Sequence, residues 1–70
     1  MKSGNSKNKK GLKERFLEIY ANLPLGVRRE IILVLDDEEP ITWEVAFVEI
    51  KSDTPLSAVI LKKLEKLEII

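Results

Sequence analysis

A chain of 70 residues without a cysteine has to hold itself together with one apolar core, and no other feature narrows its folding choices as much. So short a chain buries only about 60% of the surface its unfolded form exposes, so it cannot divide its apolar side chains between two cores. Disulfide staples and thiolate metal sites are excluded along with the cysteine. The apolar supply is adequate, since hydrophobic residues make up 44% of the chain. Phe16, Tyr20, Trp43 and Phe47 are the only aromatics, so Leu, Ile and Val must supply most of the filling.

The segment 1–11 holds Lys, Asn, Ser and Gly with no apolar residue after Met1, too little to offset its ordering entropy, and it reads as a disordered basic tail. The remainder, 12–70, reads as a single helical domain. Leu12, Phe16, Ile19, Tyr20 and Leu23 recur at spacings of three and four, which marks one face of a first helix ended by Pro24. Leu25 and Gly26 turn the chain into a second helix from about Val27 to Leu35, with Val27, Ile31, Val34 and Leu35 on its inner face. After the polar break 36–40, Thr42 is placed to cap a third helix with Trp43, Ala46, Phe47 and Ile50 as its stripe. Thr54 followed by Pro55 is the clearest helix start in the chain, because proline's missing N–H goes unused at the first helical position. The fourth helix carries Leu56, Ile60, Leu64 and Leu67 inward.

The expected fold is therefore all-α, a small bundle of about four helices with a helix-turn-helix-like arrangement. A competing α+β reading has the order helix, hairpin, helix. Glu30 to Leu35 is a β-branched apolar run, and Ile41, Trp43, Val45 and Phe47 alternate with smaller or polar residues. The helical reading is preferred because a strand through this segment puts Glu49 and Lys51 on the same face as Trp43 and Phe47, whereas a helix leaves them at or beyond its edge.

Histidine is absent, which removes the commonest metal ligand and general base. Asp36, Asp37, Glu38 and Glu39 form the one dense carboxylate cluster, but without the alternating ligands and central glycine of a calcium loop they read as a solvated connection. The isolated Gly4, Gly11 and Gly26 build no phosphate loop, and the serines have no histidine to activate them. No enzyme activity, cofactor, metal site or small-molecule substrate is expected. The longest uninterrupted apolar run, Ile31 to Leu35, is far below the ~20 residues of a membrane span. The Lys2-led polar start lacks a signal-peptide core, so the expected location is cytoplasmic, with no membrane partner. Absence of Gln and Cys, a single Met, and charge carried mostly by Lys and Glu match the composition of hyperthermophile proteins.

Formal charge sums to zero but is unevenly spread. Lys2, Lys7, Lys9, Lys10, Lys13 and Arg15 face only Glu14 in the first 15 residues, whereas residues 16–50 are strongly acidic. From Leu25 onward the order of elements resembles the winged helix-turn-helix regulators, particularly those of the arsenical-repressor type. Leu23 to Ile32 resembles that family's first helix, Pro40 to Ala46 the start of its second, and Leu61 to Leu67 the end of its recognition helix, with Glu68-Ile69-Ile70 at the start of the wing. The resemblance implies a helix laid in the DNA major groove. This sequence departs from the family in having Ile50-Lys51-Ser52 where a turn glycine is usual and in lacking a wing within its 70 residues. It also departs in carrying Pro55, Leu56, Ala58, Val59 and Ile60 where side chains that read bases are usual. Candidate nucleic-acid contacts are accordingly Lys9, Lys10, Thr54, Ser57, Lys62 and Lys66, directed mainly at phosphates.

Val45, Val48 and Val59 fall outside the stripes needed for the core and are the candidate interface residues. The expected function is thus a protein interaction module or homo-oligomeric domain without catalytic activity, its partner a second copy or another protein. The alternative is a helix-turn-helix DNA-binding regulator whose contacts are mainly with phosphates.

Overall fold

The computed structural model describes residues 11–70. Its elements are α1 (Leu12–Ala21), a 3-10 turn (Leu25–Arg29), β1 (Ile31–Val34), β2 (Pro40–Thr42), α2 (Trp43–Lys51) and α3 (Pro55–Lys66). The two strands pair antiparallel, so the fold is α+β and the all-α bundle of four helices is overturned. The tail expected over 1–11, with Lys9 and Lys10, lies outside the described residues except for Gly11.

The segment expected to be the second helix is where the difference lies. It divides into the short 3-10 turn and β1, and Ile31, Ile32 and Val34 are β-branched residues that lose side-chain freedom in a helix and fit a pleated surface. Helical packing was expected to bury Ile31 and Val34 together with Leu35, but both are exposed while Leu33 and Leu35 are buried. The hairpin also corrects the competing reading, because its second strand stops at Thr42 instead of running to Phe47. The Thr42 Oγ1 accepts the Val45 N–H at 3.1 Å, which fixes the start of α2. Partners across the strands are Ile31 with Thr42, Leu33 with Ile41 and Val34 with Pro40, with a bulge between Ile31 and Leu33.

Two connections and the end of α3 turn through a non-glycine residue with positive φ, and each has a definable reason. The hairpin closes with the Leu35 N–H donating to the Glu39 C=O and the Glu38 N–H to the Leu35 C=O, which leaves Glu38 at φ 68°. This is the three-residue loop whose third position glycine usually takes. Helix α2 ends with the Asp53 N–H on the Ile50 C=O and the Thr54 N–H on the Glu49 C=O, with Asp53 at φ 54°. Helix α3 ends the same way, Glu68 bonding to Glu65 and Ile69 to Leu64, with Glu68 at φ 61°. Both ends are Schellman motifs with an acidic residue in the left-handed position.

The core holds Phe16 and Tyr20 from α1, Leu33, Leu35 and Ile41 from the hairpin, Ala46 and Ile50 from α2, and Ile60 and Leu64 from α3. All four aromatics join in one row, Trp43 to Phe16 to Tyr20 to Phe47, with centroid separations of 5.7, 6.0 and 4.3 Å. The row locks α1 to α2, each ring pair adding about 0.5–1.5 kcal/mol beyond its buried area. Helices α2 and α3 are joined through Ser52, Asp53 and Thr54 alone.

Candidate functional site

Two surfaces stand out. The first is a groove of about 470 Å³ lined by Leu17, Tyr20 and Ala21 of α1, Arg28 of the 3-10 turn, and Phe47 and Lys51 of α2. Its aromatic part comes from the Tyr20–Phe47 stack, with ring planes 8° apart. The 3-10 turn, held by the Val27 N–H on the Pro24 C=O and the Glu30 N–H on the Val27 C=O, brings Arg28 back onto α1. There the guanidinium lies over the Tyr20 ring at 4.4 Å, and its Nη2 donates to the Tyr20 C=O at 3.1 Å. Its Nε is buried without a hydrogen-bond partner, a penalty of about 1–3 kcal/mol for a buried donor. Stacking worth about 0.5–2 kcal/mol and the carbonyl bond offset that penalty. On the opposite rim the Lys51 ammonium sits 5.5 Å from the Phe47 ring centroid. No carboxylate lines the groove.

The second surface lies along α3, where Val59, Lys62, Lys63 and Lys66 line a cleft of about 270 Å³. The acidic hairpin loop reaches this helix, since the Lys63 Nζ pairs with the Asp36 Oδ1 at 3.0 Å. One carboxylate of the loop is thus fixed on α3 at Lys63, between the Lys62 and Lys66 that the sequence marked for phosphate. No three carboxylates of the described residues gather into a site able to hold a metal ion.

The expected nucleic-acid residues are not equivalent. Lys62 and Lys66 are exposed along α3. Thr54 instead caps that helix, its hydroxyl accepting the Ser57 N–H at 3.3 Å and donating to the Glu49 carboxylate. Ser57 is buried, and its hydroxyl donates to the Thr54 C=O at 2.6 Å. Both side chains are thus engaged inside the helix start. The expected interface residues remain open: Val45, Val48 and Val59 are 42%, 54% and 45% exposed. Val45 and Val48 lie on the outer side of α2, away from Ala46 and Ile50.

Sequence reasoning missed the aromatic groove. It assigned Phe16 and Tyr20 to one helical stripe and Trp43 and Phe47 to another, and nothing in the spacing shows that the buried Tyr20 and the half-buried Phe47 stack face to face. Arg28 carries no periodic signal, because a 3-10 turn of five residues is too short to display one.

Comparison of the chain with protein-family models, with curated proteins and with solved structures finds no match. Among the described residues no helix is long and apolar enough to cross a membrane.

Proposed function

We propose that this chain is a non-catalytic protein interaction module that associates first with a second copy of itself, through the outward faces of α2 and α3. The observation that carries this reading is the half-exposure of Val45, Val48 and Val59 on helices whose inner faces already close the core through Ala46, Ile50, Ile60 and Leu64. Burying the exposed half of each valine recovers about 1 kcal/mol per side chain. Summed over both copies this is about 6 kcal/mol, close to the lower bound of the association cost, so the dimer is weak and reversible. A closed two-fold arrangement is the commonest way for identical chains to cover such a face.

Sedimentation of the full chain tests the reading. The weight-average mass should rise toward that of a dimer with concentration, and the double substitution Val45→Lys with Val48→Glu should hold it at the monomer while leaving the helical circular dichroism unchanged. A wild-type chain that stays monomeric at millimolar concentration contradicts it.

One observation favours a second reading, DNA binding: the three-residue connection between α2 and α3 leaves Lys62 and Lys66 exposed on the second helix of the pair. The contacts it offers are with phosphates, and Asp36 beside Lys63 opposes them. Binding of this kind weakens steeply with salt and barely distinguishes sequences. Fluorescence anisotropy with two unrelated duplexes across a salt series checks it, and a salt-insensitive, sequence-selective complex would speak for specific recognition instead.

A further inference from the structure

We infer that the groove between α1 and α2 binds a short acidic segment of a partner protein, with one apolar or aromatic side chain seated against Leu17, Ala21 and Phe47 and flanking carboxylates meeting Arg28 and Lys51. The lining of this groove does not include Val45, Val48 or Val59, so it adds a second partner to the interaction-module reading and is tested apart from dimerisation.

The occupant follows from charge and shape together. Leu17 and Ala21 continue the apolar floor beside the stacked rings, and the volume of about 470 Å³ suits one or two side chains. Two cations rim the floor, and neither forms an ion pair with a described residue. Lys13 and Lys63, by contrast, are neutralised by Asp53 and Asp36. Arg28 is held in place by its bond to the Tyr20 C=O and its stacking on the ring, so its position is set before any ligand arrives. Lys51 extends from the last turn of α2, where a cation is favoured by the helix dipole. A cationic rim on an apolar floor attracts carboxylates flanking an apolar anchor and repels basic segments, which is specificity through charge complementarity.

The test titrates capped peptides into the isotopically labelled full chain and follows backbone amides by NMR. The probes are Glu-Glu-Phe-Glu-Glu, its Lys-flanked counterpart Lys-Lys-Phe-Lys-Lys, its anchor-deleted form Glu-Glu-Ala-Glu-Glu, and a thymidine octanucleotide as a polyanion without an amino-acid anchor. The Glu-flanked Phe peptide should shift Leu17, Ala21, Phe47 and Lys51 with saturation, while the other three leave them in place. Lys51→Glu, at an exposed position, should weaken that peptide about tenfold and confer binding of the Lys-flanked one, an exchange that mere loss of structure cannot produce. No saturable shift with the Glu-flanked Phe peptide at millimolar concentration would overturn the inference. Equal binding of the Ala or Lys peptide, or of the oligonucleotide, would overturn it too. A Val45→Asn, Val48→Asn variant, held monomeric and neutral beside Lys51, should bind the peptide unchanged, which separates this groove from self-association.

Discussion

Glu38, Asp53 and Glu68 occupy the backbone positions for which glycine is best suited. A left-handed residue with a side chain costs about 1–2 kcal/mol, less for aspartate, whereas glycine in its place loses about 0.5–1 kcal/mol to greater freedom of the unfolded chain. The difference favours glycine at the two glutamates. Glu68→Gly and Glu38→Gly should each raise stability by roughly 0.5 kcal/mol, seen as a higher urea midpoint with unchanged slope. Asp53→Gly should gain nothing, because aspartate tolerates the conformation better and its carboxylate also pairs with Lys13 at 2.9 Å. Arg28 is the residue whose shape matters most to the groove. Arg28→Lys keeps the charge but loses the planar group that stacks on Tyr20 while donating to its carbonyl, so the groove amides should shift with a stability loss of about 1 kcal/mol.

At the level of elements, the helices were written in local signals and the hairpin was not. Thr42 and Thr54 cap α2 and α3 as their positions in the sequence announce, and Pro55 takes the first helical place. Thr42→Ala should cost about 1 kcal/mol. Thr54→Ala should cost more, because its hydroxyl also donates to the Glu49 carboxylate; paired urea melts of the two variants give the order. The hairpin was legible only as the competing reading because its loop, Asp36-Asp37-Glu38, lacks the glycine or asparagine that signals a turn, and because the bulge breaks the alternation of β1. Runs such as Ile31 to Leu35 serve equally as a short buried helix or a strand until their partner is known. The hairpin is nevertheless integral to the core, so Ile41→Ala, at a side chain 1% exposed, should cost about 2–5 kcal/mol. Among the candidate sites, the open valines were legible because they fell outside the helical stripes. The aromatic groove was not, since it depends on how α1, the 3-10 turn and α2 pack.

At the scale of the molecule, α2 and α3 are joined by three residues, and the described surface of the pair combines exposed valines with the lysines of α3. Val45, Val48 and Val59 are exposed on these helices, the Thr54 and Ser57 hydroxyls are bonded within the start of α3, and the acidic hairpin loop reaches Lys63 through Asp36. Apolar exposure on these helices is what supports the proposed protein contact. A rival apolar surface exists on β1, where Ile31 and Val34 are 58% and 56% exposed on a two-stranded sheet. The measurement that separates these surfaces most directly is a concentration series of amide spectra on the full chain, from micromolar to millimolar. Concentration-dependent shifts gathered at Val45, Val48 and Val59, accompanied by slower diffusion, are the result we expect. Shifts centred instead on Ile31 and Val34, or spectra and diffusion that do not change with concentration, would contradict self-association through α2 and α3.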